Sequence, residues 1–175
     1  MKKIVVWLTG MSGAGKTTIA KGIYTHLVEQ GQKVKLLDGD EIRNNFHPHL
    51  SFSPDDIIKN NELIVQMCES LKTDFNYILV SIISPFKCSR LYAREVFGTG
   101  FVEVFVKASV KTLIERDVKG LYKKALSGEI DNFIGISPTV PYEPPENPEI
   151  IINTEKITSF EAIEIILKLL KKHKQ

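Results

Sequence analysis

Short apolar runs alternate with longer mixed segments along most of the chain. The apolar runs are bounded by polar and turn residues, and they cover residues 4–8, 34–37, 77–83, 101–106 and 150–152. Their residues are apolar at consecutive positions, which is typical of strands that are buried on both faces. We therefore predict a sheet of five parallel strands.

The segments between these runs have the pattern of helices. They predict helices over 16–29, 55–72, 87–97 and 110–116, and a last helix over 159–172 with Ser159 as its N-cap. Alternating strands and helices imply right-handed crossovers that place helices on both faces of the sheet. Because 175 residues is the size of one domain, we predict a single three-layer α/β domain spanning residues 1–175.

Residues 119–147 do not follow this alternation. A short basic helix is predicted over 120–126, and the rest of the segment is rich in Gly and Pro and has no strand pattern. A long irregular segment in a compact domain is commonly either functional or disordered. We favour a mobile lid over about 119–147, with a solvated structural loop as the alternative.

The most informative stretch is "GMSGAGKTT", residues 10–18, between the first predicted strand and the first predicted helix. Its glycines let the backbone curl so that N–H groups point at phosphate oxygens, and the following helix adds the positive end of its dipole. Lys16 can reach the β- and γ-phosphates of a nucleotide, and the Thr17 hydroxyl can bind magnesium. The residues predicted to bind phosphates are Gly10, Ser12, Gly13, Ala14, Gly15, Lys16, Thr17 and Thr18.

A second candidate stretch, "LLDGDEIR", follows the second predicted strand. Ligands of parallel sheets bind beyond the carboxyl ends of the strands, so this stretch shares a crevice with the phosphate loop. Asp38 and Asp40 can accept a proton from an acceptor hydroxyl or hold magnesium through water. The alternative is a polar turn that caps a helix from Glu41. Arg43, one turn further on, can bind an anionic group of the acceptor.

The fate of the phosphate is a separate question. A GTPase would need an element such as Asn-Lys-x-Asp to read guanine, and the sequence contains none. The small size and the lid favour a kinase that transfers a phosphoryl group to a small acceptor, because a lid excludes water and so limits hydrolysis.

Charge and composition give no sign of a macromolecular partner. Lys and Arg number 23 against 21 Asp and Glu, and a net charge of +2 gives no argument for nucleic acid or a membrane surface. The first apolar run ends at Gly10, too short for a signal peptide, and no stretch approaches the ~20 apolar residues of a membrane span. We expect a cytoplasmic protein in which Cys68 and Cys88 are reduced thiols.

Six stretches resemble the adenylylsulfate kinase family in their order and spacing: "GMSGAGKTT", "LLDGDEIR", "SFSPDD", "SIISPFK", "RDVKGLYKKALSGEIDNFIGI" and "PYEPPENPEIIINT". The resemblance covers nearly the whole chain. It implies a P-loop kinase fold, ATP and magnesium, and transfer of the γ-phosphoryl group to the ribose 3′-hydroxyl of adenosine 5′-phosphosulfate. Members are commonly dimers, so a homodimer is expected from the resemblance, whereas the sequence itself shows no interface.

The resemblance also assigns roles to single residues. Asp38 matches the base near the attacking hydroxyl, and Phe52 and Phe133 match two phenylalanines that sandwich the acceptor's base, although from the sequence alone both are typical of a core. The predicted catalytic residues are Lys16, Asp38, Asp40 and Ser84. The other matches are Arg116 near the ATP adenine, and Asn60, Ile83 and Lys124 at the acceptor.

The chain departs from the family where the family grips the phosphosulfate group. Family arginines correspond to Ile57 and Glu62, while Asn60 between them is retained. A changed acceptor would leave this pattern, and cytidine diphosphoramidate, a nucleotide used to decorate capsular polysaccharide, is the alternative because Glu62 could accept from its P–NH2 group. Lys59 could instead supply the missing cation. An alternative of another class is a non-catalytic nucleotide-binding module, against which the intact catalytic residues argue.

Overall fold

The computed structural model describes residues 3–173 of the chain. Five strands form one sheet, in the order β2-β3-β1-β4-β5, and every neighbouring pair is parallel. The strands are β1 (Ile4–Thr9), β2 (Val34–Asp38), β3 (Tyr77–Ser81), β4 (Phe101–Lys107) and β5 (Ile150–Asn153). The predicted five-stranded parallel sheet is confirmed.

Helices cover both faces of the sheet, as the alternation predicts. They are α1 (Lys16–Glu29), α2 (Gly39–Asn45), α3 (Pro54–Leu71), α4 (Lys87–Phe97), α5 (Val110–Arg116), α6 (Leu121–Leu126) and α7 (Ser159–His173). One core cluster joins the sheet to α1 and α7, and a second joins its other face to α2, α3 and α4. The result is a three-layer α/β domain whose strand ends all meet at one edge.

Three boundaries differ from the sequence-based expectation, each for a local reason. β3 ends at Ser81 rather than at residue 83, because the chain turns out of the sheet there and Ser84 takes a φ of 46°. α2 begins directly after β2, with Asp38 as its N-cap. The N-cap of α7 is Thr158 rather than Ser159, because the Thr158 hydroxyl accepts from the Glu161 N–H while the Glu161 carboxylate accepts from the Thr158 N–H.

The segment predicted as a lid consists of two unlike parts. Residues 123–131 are exposed or half-buried. Residues 133–143, which we name the strap, are anchored: Val140 is fully buried, the Glu143 N–H donates to the Pro85 carbonyl, and the Glu143 carbonyl accepts from Arg90. Lid mobility stays a prediction, and this packing favours the part before the strap as the part that moves.

Two smaller expectations concern membrane spans and cysteines. Within residues 3–173 no helix has both the length and the apolar character needed to cross a membrane. Cys68 is buried and Cys88 is exposed, and both thiols are free.

Candidate active site

The phosphate loop owes its shape to glycine at two kinds of position. Gly13 and Gly15 have φ values of 75° and 102°, a region that side chains with a Cβ rarely adopt. Gly10 is needed for space, since a Cβ there would lie 2.2 Å from the Val106 carbonyl oxygen. The loop leads directly into α1, so the unpaired N–H groups of that helix face the site.

Lys16 folds back over the loop that precedes it. Its Nζ donates to the Gly10 carbonyl at 2.7 Å and to the Met11 carbonyl at 2.9 Å, and only 8% of the residue is exposed. Burial, reinforced by the nearby Lys119 charge, lowers the Lys16 pKa to about 8, although Asp40 and Asp38 oppose the shift. A phosphate group at the loop would supply the counter-charge that this buried cation lacks.

Asp38 connects the end of β2 with the phosphate loop. Its Oδ2 accepts from the Thr17 hydroxyl at 2.8 Å, and its Oδ1 accepts from the Asp40 N–H at 3.1 Å. The Ser81 hydroxyl, at the end of β3, lies 3.2 Å from that of Thr17. The helix-capping interpretation of "LLDGDEIR" is confirmed, with the helix beginning at Gly39 rather than at Glu41. The same carboxylate contacts the phosphate loop, and its catalytic role stays a prediction.

Asp40 forms an ion pair with Lys119, a residue at the beginning of the predicted lid segment. Lys119 lines the same cavity as Asp40. The sequence analysis missed Lys119 as a site residue. The feature of the sequence that could have indicated Lys119 is its neighbour Gly120, which has a φ of 66° and is the N-cap of α6.

Arg43 and Phe52 form one side of the cavity. The Arg43 guanidinium donates to the carbonyls of Leu50 and Ser51 and lies 4.3 Å from the Phe52 ring centroid. Phe52 is 47% exposed and lines the cavity. Arg43 thus holds the Phe52 ring in place at the cavity.

Asn60, Ile83 and Ser84 line the inner wall of the cavity. The Asn60 Oδ1 lies 2.9 Å from His47 Nδ1, so a buried imidazole fixes its amide. Ser84 combines a left-handed backbone with a 2% exposed hydroxyl that has no hydrogen-bond partner among the described residues. Strain and an unsatisfied hydroxyl at a cavity wall are typical of a functional residue.

The cavity has a volume of about 230 Å³ and collects most of the predicted site residues. Those that line it are Ser12, Gly13, Gly15, Lys16, Thr17, Thr18, Asp38, Asp40, Arg43, Phe52, Asn60, Ile83 and Ser84. Gly10 and Ala14 support the loop from behind without lining the cavity. Residues that are far apart in the sequence therefore converge at one place.

Three further predicted residues also lie outside this cavity. Phe133 is buried in the core with its ring edge-to-face against Tyr122, 4.9 Å between centroids, so it does not face Phe52 here. Lys124 lies exposed on α6. Arg116 donates to the side chain and carbonyl of Thr154, whose methyl group lies beside Gly15, which puts it at the outer edge of the phosphate loop.

The two positions at which this chain lacks a family arginine, Ile57 and Glu62, have different surroundings. Ile57 is 2% exposed and lines the cavity, so the loss of a cation there affects the site. Glu62 instead pairs with Lys59 at 3.3 Å on the exposed side of α3, and neither residue lines the cavity. In this structure neither Glu62 nor Lys59 faces the acceptor cavity, which argues against a role for either of them at the acceptor.

A buried ion-pair network supports the wall behind Ser84. The Arg90 guanidinium pairs with Glu103 at 3.0 Å and donates to the carbonyls of Ser84 and Glu143, while Arg94 also pairs with Glu103. Arg90 and Glu103 are 3% and 5% exposed. Arg90 thus links the strained Ser84 to the strap.

We expect Arg90→Met to lower the free energy of unfolding by about 3–5 kcal/mol, because it leaves the Glu103 carboxylate buried with one fewer partner. The double variant Arg90→Met with Glu103→Leu removes both charges and should regain much of the loss. Urea unfolding of the single and double variants measures both effects. A double variant no more stable than Arg90→Met would show that the two charges do not depend on one another.

Comparisons with known proteins indicate one family. A sequence model described as adenylylsulphate kinase matches residues 2–153. The adenylyl-sulfate kinase of Staphylococcus carnosus is 44% identical, covering 99% of this chain and 86% of that protein. That of Halothermothrix orenii is 43% identical, covering 97% and 90% respectively.

Solved structures agree with the sequence comparisons. The Mycobacterium tuberculosis APS kinase in complex with AMPPNP and APS superposes with a TM-score of 0.90 at 34% identity, covering 97% of this chain and 98% of that one. Shikimate kinase from Acinetobacter baumannii, at 15% identity and a TM-score of 0.58, shares the kinase fold alone. With a family match over most of its length and a phosphate loop facing an acceptor cavity, the chain belongs to the adenylylsulphate kinase family and is a nucleotide kinase.

Proposed function

We propose that this protein transfers the γ-phosphoryl group of ATP to the ribose 3′-hydroxyl of adenosine 5′-phosphosulfate. The observation that carries the proposal is the 2.8 Å hydrogen bond between Thr17 and Asp38. It brings the carboxylate that faces the acceptor cavity next to the loop that binds the phosphates. The family relative solved with AMPPNP and APS supports the choice of both substrates.

Each residue of the site has a role in this transfer. Asp38 accepts the proton of the attacking hydroxyl. Asp38 is only 7% exposed, so its carboxylate is shielded from bulk water. Lys16 and the N–H groups of the loop stabilise the negative charge of the transferred group. Phe52 stacks on the acceptor's base, and the Ser84 hydroxyl hydrogen-bonds beside the reacting atoms.

Magnesium fits the residues at the junction of loop and strand. Thr17 and Asp38 present hard oxygen ligands 2.8 Å apart, and Mg²⁺ is commonly held by one or two protein oxygens together with phosphates and water. Among residues 3–173, no group of three His, Cys, Asp or Glu side chains is placed to hold a metal ion. Bound there, the ion would neutralise charge on the β- and γ-phosphates.

The alternative functions are less well supported. The case for cytidine diphosphoramidate rested on Ile57 and on repulsion of sulfate by Glu62. Ile57 lines the cavity, whereas Glu62 is paired with Lys59 outside it. A non-catalytic binding module would not need a buried carboxylate in contact with the phosphate loop. The homodimer and the cytoplasmic location stay predictions, and light scattering on the purified protein tests the first.

The proposed function is tested by measuring ADP release with Mg-ATP in the presence and absence of adenosine 5′-phosphosulfate. We expect release to depend on the acceptor and the product to carry a new 3′-phosphate, identified by mass spectrometry. Cytidine diphosphoramidate serves as the parallel acceptor. Equal ADP release with and without adenosine 5′-phosphosulfate would refute the proposal.

The Lys16 pKa predicts a pH effect on nucleotide binding. Because this pKa is about 8 in the free protein, Lys16 loses its proton above that pH, and bound phosphates restore it. Calorimetry in two buffers should show proton uptake on ATP binding at about pH 9 but less at about pH 7. The Lys16→Met variant is the control and should lack the difference between the two pH values.

The lowered pKa of Lys16 also makes the stability of the protein depend on pH. The direction of this dependence follows from which state, folded or unfolded, binds more protons. The unfolded chain holds the Lys16 proton up to its ordinary pKa of 10.5, whereas the folded protein releases it near 8. Between these values the unfolded state binds more protons, so this group's contribution to the free energy of unfolding rises with pH.

A further inference from the structure

Asn61 lies on the wall of the acceptor cavity, and the family resemblance described above assigned it no role. It is 3% exposed, and its Oδ1 has no hydrogen-bond partner among residues 3–173. A buried carbonyl oxygen that lacks a donor costs free energy, and such atoms are commonly satisfied by a ligand or water. Ser84 Oγ is the other unpartnered atom of a cavity-lining residue in the described chain.

The amide of Asn61 is held in one orientation. Its Nδ2 donates to the Ile57 carbonyl one helical turn earlier, at 2.8 Å. The donor end of the amide is thus used inside α3, and only the acceptor end remains for a ligand. A group that satisfies this oxygen must therefore bring an N–H or an O–H.

The position of Asn61 along α3 favours the ribose over the base of the acceptor. α3 begins at Pro54, next to Phe52, and Asn61 lies about 10 Å further along the helix axis at 1.5 Å per residue. The next turn of the helix packs on β2 and β3 through Ile64. Asn61 therefore lies closer than Phe52 to the part of α3 that packs on the sheet, and it lines the same cavity as Asp38.

We propose that Asn61 is a specificity-determining residue whose Oδ1 accepts a hydrogen bond from the ribose 2′-hydroxyl of the acceptor nucleotide. This rests on the proposed function, because it concerns the same acceptor in the same cavity. The contact holds the sugar by the hydroxyl that does not react, and so leaves the 3′-hydroxyl to Asp38. It also gives the site a means of rejecting 2′-deoxynucleotides, whose binding would leave the Asn61 oxygen unpaired.

The test compares two acceptors, adenosine 5′-phosphosulfate and its 2′-deoxy analogue, with the wild-type protein and Asn61→Leu. We expect wild type to lose about tenfold in kcat/KM on the deoxy analogue. Asn61→Leu should lose a similar factor on the parent acceptor, nearly none on the deoxy analogue, and should keep the KM for ATP. If the leucine variant does not fold, Asn61→Ala gives the same comparison.

Two controls separate recognition from packing. Ser89→Ala removes an equally buried and unpartnered oxygen that lies outside the cavity, so it should keep the wild-type preference between the two acceptors. Asn61→Asp keeps the acceptor oxygen and should also keep this preference, even if its overall rate falls.

The outcomes distinguish this proposal from the proposed function. Wild-type turnover of adenosine 5′-phosphosulfate establishes the function whatever Asn61 does. An Asn61→Leu variant that still prefers the parent acceptor tenfold would overturn the role of Asn61. A third acceptor, an analogue of adenosine 5′-phosphosulfate whose base lacks the exocyclic amine, tests the assignment to the ribose. If Asn61→Leu loses the wild-type preference over this analogue but keeps the preference over the 2′-deoxy analogue, the donor is the base and the assignment to the ribose is overturned.

Discussion

Replacing Asp38 by Asn is expected to lower kcat by about 10²–10⁴-fold, the usual contribution of a positioned general base. The physical reason is that the amide keeps the size of the carboxylate but cannot accept the proton of the 3′-hydroxyl. The KM for ATP should change much less than kcat. Initial rates of acceptor-dependent ADP release measure both constants.

Two further variants separate the chemistry of Asp38 from its structural role. Because Asn also caps helices well, Asp38→Asn should retain the stability of α2, whereas Asp38→Ala loses both the base and the cap, at about 0.5–2 kcal/mol of unfolding free energy. Asp55→Asn, an exposed acid at the start of α3, should leave the rate unchanged. An Asp38→Asn variant within threefold of wild type would mean that another group accepts the proton.

Lys16→Met is expected to weaken ATP binding by about 10- to 100-fold and to reduce kcat as well, since a hydrogen bond to a charged group is worth about 1.5–3 kcal/mol. The stability of the free protein should change little, because the substitution removes a cation that burial disfavours but also removes its hydrogen bonds to the carbonyls of Gly10 and Met11. Calorimetric titration with ATP and thermal unfolding of the free protein measure the two effects.

Lys21 provides a matched control for this variant. It lies on the same helix as Lys16 but is exposed to solvent. Lys21→Met should bind and turn over ATP as wild type does. If Lys16→Met retained wild-type affinity for ATP, the phosphate-binding role of the loop lysine would be wrong.

Local patterns account for the parts of the structure that the sequence predicted well. β1 and β3 were recognisable because they are buried on both faces, as is β4 up to its last residue, whereas the edge strands β2 and β5 are partly exposed. The phosphate loop was recognisable from its glycines, of which Gly13 and Gly15 have a left-handed backbone. The two contacts of Asp38 also have a local origin, because Asp38 is the last residue of β2 and the N-cap of α2.

Contacts between distant segments account for what was missed. Lys119 meets Asp40 across 79 positions of the chain, and Arg90 joins Ser84 to Glu143, 59 positions apart. No periodicity in the sequence encodes such pairs. Phe133 is a further case, because its ring packs on Tyr122 outside the cavity, so its stacking on the acceptor's base stays a prediction.

The close approach of Gly10 to β4 has a consequence for mutational tolerance. A methyl group at position 10 would collide with the carbonyl oxygen of Val106, which is backbone in the middle of the sheet and cannot move aside. If a variant at position 10 is inactive, we therefore expect the cause to be a displaced β4 strand rather than the loss of a contact with the phosphates. In this protein, the first glycine of the phosphate-loop pattern, Gly10, is therefore required by the packing of the loop against the sheet.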